Sequence, residues 1–169
     1  LDDSLQVPGD CNGHGTHTVG IMCGLDRNTN DTIGVAFDAR WIGSPSLCGM
    51  SSSTSRNIAG FQWALNPDDD STTTHDMPDV INNSWYDPNT VDQCTGLYKN
   101  VLDAVESAGI AVVFSAGNQG PGVSTITEPK NINTNLVNSF CVGSIIGTNN
   151  TFPISSFSSR GPSTCGKTG

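Results

Sequence analysis

A chain of 169 residues is long enough to bury one hydrophobic core. Its formal net charge of −9, with seven Lys and Arg in total, excludes nucleic-acid binding through phosphate contacts, which needs clustered cations. No apolar run approaches the roughly 20 residues that span a bilayer, so no membrane partner is expected, and the N-terminus lacks the charged and apolar parts of a signal peptide.

In chain order, Thr16 to Cys23 can start a helix that turns Val19, Met22 and Cys23 toward a core. Residues 33–42 are rich in β-branched and aromatic side chains and predict a strand, and Thr54 to Leu65 places Ile58, Phe61 and Leu65 on one helical face. The polar stretch Asn66 to Pro78, with Asp68-Asp69-Asp70 and four successive Ser/Thr residues, predicts a solvated, mobile loop, and Val80-Ile81 opens a second strand. Leu97, Val101, Ala104, Val105 and Ala108 then recur at helical spacing, and Gly109 can take the left-handed conformation that ends a helix. The unbroken apolar run Ile110 to Phe114 predicts a parallel strand covered on both faces. A second loop, Gly120 to Asn138, leads to another strand within Ser139 to Ile146.

This alternation predicts an α/β fold with a mostly parallel sheet. Ligands in such folds usually bind at the carboxyl ends of the strands. Ser84-Trp85-Tyr86 follows one strand and Ser115-Ala116-Gly117-Asn118 follows the next. No internal repeat, heptad pattern or domain linker is visible, so the chain reads as one structural unit.

Six cysteines, Cys11, Cys23, Cys48, Cys94, Cys141 and Cys165, contain no C-x-x-C pair, which favours disulfides over a metal ribbon but leaves 15 pairings open. Sequons begin at Asn30, Asn82 and Asn149. Together these features point to a secreted protein.

The chain has three histidines, and two of them sit in Asn12-Gly13-His14-Gly15-Thr16-His17. The flanking glycines leave the His14 imidazole approachable, as a general base requires. Ordinary hydrogen bonding is the plainer alternative. Metal ligation by His14 and His17, with His75 or an acidic group, is another, although the segment lacks the Glu of H-E-x-x-H. Asn118, beside glycines at a strand end, offers an amide donor suited to an oxyanion, but Asn and Gly are also common turn residues.

Gly13-His14-Gly15-Thr16-His17, Asn83-Ser84-Trp85, Ser115-Ala116-Gly117-Asn118 and Ser156-Phe157-Ser158-Ser159-Arg160-Gly161-Pro162, in this order, resemble the subtilisin-like serine proteases over nearly the whole chain. Ile33-Gly34-Val35-Ala36 with Ala39-Arg40-Trp41-Ile42 looks most like the bacillopeptidase F branch. The resemblance implies a three-layer subtilisin-like α/β fold with helices on both faces of the sheet, and proteolysis of polypeptide substrates. His14 would be the general base, Asn118 the oxyanion-hole donor and His17 a structural neighbour. Ser84, Trp85 and Tyr86 would form an edge that pairs with substrate, and Ser115, Ala116 and Gly117 the other wall of the primary specificity pocket. Trp85 and Tyr86 are bulkier than the family often has there.

The family's G-T-S-M-A-type nucleophile element and D-T-G or D-S-G aspartate element have no counterpart; Asp2, Asp3 and Asp10 stand in the wrong context. The expectation is therefore that residues 1–169 are a partial peptidase domain, inactive alone, of a longer serine endopeptidase. A catalytically dead relative that binds peptides along the Ser84 edge is the alternative. No cofactor is implied. Asn28, Asn30 and Asp31 offer oxygen ligands for calcium in a loop shorter than the family's calcium loop.

Overall fold

A computed structural model describes residues 9–44, 53–90, 94, 96–130, 139–148 and 150–163. Cys48, Cys165, the sequon at Asn149, Asp2, Asp3 and residues 131–138 of the second loop lie outside these. The chain divides into two compact units, Leu1–Ser52 and Ser53–Gly169.

In the first unit, helix α1 (His14–Cys23) leads into a short antiparallel hairpin of β1 (Leu25–Asp26) and β2 (Asp31–Thr32). The helix begins two residues earlier than the sequence predicts, and Val19, Met22 and Cys23 are half-buried rather than fully enclosed. Asp26 closes the hairpin turn by accepting the Asn28 N–H at 2.9 Å and the Thr29 hydroxyl at 2.8 Å. Asn30 takes the left-handed conformation there, with φ 56°.

Residues 33–42 do not form the expected strand. After the hairpin, the Gly34 N–H donates to the Gly24 carbonyl at 2.7 Å and the Ala36 N–H to the Met22 carbonyl at 2.8 Å, tying the chain to the end of α1. Gly34 is packed so closely that a Cβ would collide with the Gly24 and Cys23 backbone. The Ala39 N–H then bonds back to Ala36, and the resulting turn leaves Val35, Trp41 and Ile42 exposed. Apolar composition was present without the strand pairing it suggested.

The second unit is built on a parallel sheet ordered β3 (Val80–Asn83), β4 (Ala111–Ser115), β5 (Ser139–Val142). Helices α2 (Thr54–Ala64) and α3 (Lys99–Ser107) pack on the face that carries Val112 and Phe114. Phe61, Tyr98, Val101, Leu102, Val105 and Ile110 complete that core, with Ile58, Leu65, Ile81 and Trp85 against it. On the opposite face, Val80, Phe140 and Val142 are each more than half exposed.

Helix α2 starts where the sequence predicts, with the Ser53 hydroxyl accepting the Arg56 N–H at 3.3 Å. Helix α3 ends as predicted: Gly109 has φ 90°, its N–H reaches the Glu106 carbonyl at 2.9 Å, and the Ile110 N–H reaches Val105 at 3.2 Å. This double bond pattern satisfies carbonyls that a helix end otherwise leaves open. The buried stripe of α3 differs from the expected one. Tyr98, Val101, Leu102 and Val105 are buried, whereas Leu97, Ala104 and Ala108 are exposed.

The reason lies at Tyr98, whose hydroxyl donates to the buried Asp87 carboxylate at 2.5 Å and accepts from Asn57 Nδ2 at 3.1 Å. Asp87 also accepts the Thr54 hydroxyl at 2.6 Å and both the backbone and side-chain amides of Asn89 at 2.9 Å. Burial alone would raise the Asp87 pKa, but the Thr54, Tyr98 and Asn89 donors outweigh it and hold the carboxyl below its ordinary 3.8.

The loop at residues 66–78 exposes its Asp68–Thr72 tip, packs Met77 against the core and is internally bonded. The Asp68 N–H donates to Asp76 at 2.9 Å and the Asp70 N–H to Asp68 at 3.0 Å, while Asp70 accepts the Thr72 hydroxyl at 2.6 Å. Its carboxylates therefore organise the backbone instead of merely solvating it.

Asp87→Ala should destabilise the second unit by about 3 kcal/mol, because it strands buried donors on two helices; chemical denaturation measures this. A depressed carboxyl pKa means that the Asp87 contribution is present above pH 3.8 and fades as pH falls through the lower folded value. The wild-type advantage over Asp87→Ala should shrink accordingly in acid. Gly109→Ala, with φ positive, should cost about 1 kcal/mol in the same assay.

Candidate active site

His14 opens α1 and is exposed. The amides around it are held by two side chains that precede it. The Asp10 carboxylate accepts the Thr16 N–H at 2.7 Å, the Gly13 N–H at 2.9 Å and the Asn12 N–H at 3.2 Å, and Asn12 Oδ1 accepts the His14 N–H at 2.9 Å. The Thr16 backbone and hydroxyl, followed by the Asn12 and Gly13 amides, lower the Asp10 pKa to about 2. Gly13 joins the two segments with φ 79°, a conformation that favours glycine. Asp10 thus orients the start of the His14 helix, and its carboxylate favours the positive end of the helix dipole. The His17 N–H makes the first helical bond, to Gly13 at 3.0 Å, while its side chain is exposed. An acidic residue a few positions before a helix start is the sequence signal for this role of Asp10.

In the second unit, Ser84-Trp85-Tyr86 and Ala116-Gly117-Asn118 leave the carboxyl ends of neighbouring parallel strands, β3 and β4. Trp85 turns its ring into the core. It packs 5.7 Å from Phe114 and 6.0 Å from Tyr98 between centroids, and its Nε1–H donates to Asn83 Oδ1 at 3.1 Å. The bulk of Trp85 therefore fills the core, and the half-exposed side chain of this stretch is Tyr86. Among the described residues, the backbone groups of Ser84, Trp85 and Tyr86 pair with no other backbone group. Asp87, directly after them, anchors the segment.

The loop after β4 is braced from the F-S-S-R-G-P segment. The Ser159 N–H donates to the Gly117 carbonyl at 2.9 Å, the Gln119 N–H to the Ser159 hydroxyl at 3.2 Å, and the Gly120 N–H to the Phe157 carbonyl at 2.8 Å. Ser158 accepts the Ser144 N–H at 3.1 Å, linking the turn after β5 to the same brace. Gly117 has φ 108°, and a Cβ there would lie 2.5 Å from Gln119 Oε1. A Cβ on Gly120 would collide with the Ser158 carbonyl. Asn118 itself is exposed, with its N–H 3.1 Å from Gln119 Oε1, leaving its carboxamide directed to no other described group. Ser115 to Asn118 and the F-S-S-R-G-P stretch lie about 40 residues apart in sequence and meet only in the fold.

The metal alternative finds one three-ligand group among the described residues: Asp68, His75 and Asp76, whose ligand atoms lie within 4.8 Å of one another. It contains neither His14 nor His17, and both its carboxylates already accept bonds within the loop. Cys23 and Cys141 carry free thiols, so the disulfides expected from composition can involve at most the other four cysteines. No helix among the described residues is long and apolar enough to cross a membrane.

Comparison with known proteins adds the family. Bacillopeptidase F of Bacillus subtilis (strain 168) is 32% identical over 164 residues, covering 92% of this chain and 11% of that protein. The extracellular serine proteinase of Thermus sp. (strain Rt41A) is 37% identical over 110 residues, covering 64% of this chain and 22% of its own. Among solved structures, the S41 psychrophilic protease aligns with TM-score 0.50 and 26% identity over 66% of this chain and 33% of its own. The chain thus spans about a tenth to a third of these proteins' lengths. The model of the subtilase family matches residues 2–168, nearly the entire sequence, and the chain belongs to that family.

Proposed function

We propose that the full-length protein containing this chain is a secreted serine endopeptidase of the subtilisin type, in which His14 takes a proton from a serine nucleophile and returns it to the leaving amine. The observation that carries this reading is the edge formed after β3 and β4. Among the described residues, the backbone groups of Ser84 to Tyr86 pair with no other backbone group, and the loop Ser115 to Asn118 is pinned beside them with an exposed carboxamide. An extended peptide can pair with the first segment as an added strand, and Asn118 can donate to the oxyanion that forms at the scissile carbonyl. Ser115, Ala116 and Gly117 then form one wall of the pocket for the preceding side chain. The serine and the aspartate of the triad come from outside this chain, which by itself has no triad-dependent turnover. Export to an oxidising compartment is supported by the relative named as extracellular and by the disulfide-bonded state of Cys11 and Cys94.

In the full-length protein, His14→Ala should lower kcat by several orders of magnitude with little loss of fold, since the imidazole is exposed. Peptide hydrolysis and thermal unfolding measured together check this, and normal turnover in the variant rules out the assignment. His17→Ala should change stability by less than about 0.5 kcal/mol. Asn118→Ala should lower kcat by about 10²–10³ with a small effect on KM, the size known for an oxyanion-hole asparagine in subtilisin. Binding of peptides without hydrolysis by the intact protein would favour a catalytically dead binding relative.

A further inference from the structure

Lys130 is 8% exposed, a rare state for a lysine and a conspicuous one in a chain with seven basic residues. Among the described residues no carboxylate forms an ion pair with it. Its ammonium lies at the carboxyl edge of the sheet, between the two segments that follow β3 and β4. Nζ stands 6.0 Å from the centroid of the Tyr86 ring on one side, and 3.1 Å from where a Cβ on Gly117 would project on the other. The same Gly117 Cβ position would lie 2.5 Å from Gln119 Oε1 and 2.8 Å from Ser159 Oγ, so only a glycine lets Nζ approach the β4 segment this closely.

Burial holds the Lys130 pKa below its ordinary 10.5, with the Cys141 thiol acting weakly in the opposite direction. A buried ammonium with no carboxylate partner among the described residues is poorly compensated, and an incoming carboxylate would supply that partner. Parallel sheets take their ligands at this edge. Solvent-facing anions would have no need of a cation placed between two backbone segments.

We propose that Lys130 forms the floor of the pocket that receives the side chain preceding the scissile bond, and that it selects glutamate or aspartate there. The inference rests on the peptidase reading and names its specificity. Neither Lys130 nor its position stood out in the sequence, because an isolated Pro-Lys pair in a polar loop carries no pattern.

The test uses the full-length protein, with Lys130→Met and Lys130→Arg variants, and otherwise identical peptides carrying Glu or Gln before the cleaved bond. The wild type should favour Glu over Gln in kcat/KM by roughly 10–100-fold, as expected for one hydrogen-bonded charge pair. Lys130→Met should bring the ratio to about one or below, and Lys130→Arg should keep most of it. A wild-type ratio near one, a preference for small uncharged side chains, or an unchanged ratio in Lys130→Met overturns the proposal and leaves the peptidase reading intact. Calorimetric titration with short peptides ending in Glu or Gln separates the remaining cases. Glu-selective binding without any cleavage keeps the pocket and overturns the peptidase reading, whereas neither selectivity nor cleavage overturns both. Should Lys130→Met fail to fold, the wild-type ratio and the Lys130→Arg variant still decide.

Discussion

The larger unit depends on one buried carboxylate. Asp87 receives hydroxyls from Thr54 at the start of α2 and from Tyr98 at the start of α3, and it lies directly after the segment that leaves β3. Hydrophobic burial of Phe61, Leu102, Val105 and Phe114 drives the helices onto the sheet, but it is non-directional. The carboxylate supplies direction. A fully satisfied buried network fixes a unique arrangement because any other leaves polar groups stranded in low dielectric. Trp85 then packs inward while the backbone groups of Ser84 to Tyr86 pair with no other backbone group among the described residues.

The second constraint is steric. The loop from Gly117 to Gly120 lies against Ser158 and Ser159 with no room for a side chain at either glycine. A polar brace of this kind holds Asn118 in place without covering it, which is what a preorganised donor requires. Around His14 the same logic operates through Asp10 and Asn12, whose side chains take up the free amides of the first helical turn. His14 in the first unit and Asn118 in the second are exposed, and the residues that position their backbone are bonded.

Much of this was legible in the sequence. The parallel strands, the Thr54 start of α2 and the Gly109 end of α3 follow from periodicity and helix-end chemistry, which are local. The errors fall where tertiary contacts decide. Residues 33–42 have a strand's composition, yet the close approach of Gly34 to Cys23 and Gly24 turns the chain back instead. Counting only aliphatic side chains in α3 favoured Leu97, Ala104 and Ala108, while Tyr98, tethered by its hydroxyl to Asp87, pulled a neighbouring stripe inward. At the site, the ordered motifs gave His14, Asn118 and the two loop segments. Asp10 had a local signal, an acid just before a helix start, whereas Asp87 and Lys130 emerged from distances alone, since their partners lie far away in sequence.

The central claim is that this chain carries the base and the oxyanion donor of a serine nucleophile. Treating the full-length protein with a serine-directed fluorophosphonate tests it most directly, with mass spectrometry to locate the label and peptide hydrolysis to follow activity. The account predicts one covalent adduct on a serine, loss of hydrolysis in proportion to labelling, and much slower labelling in His14→Ala. Hydrolysis that survives the reagent but is abolished by a metal chelator would contradict it.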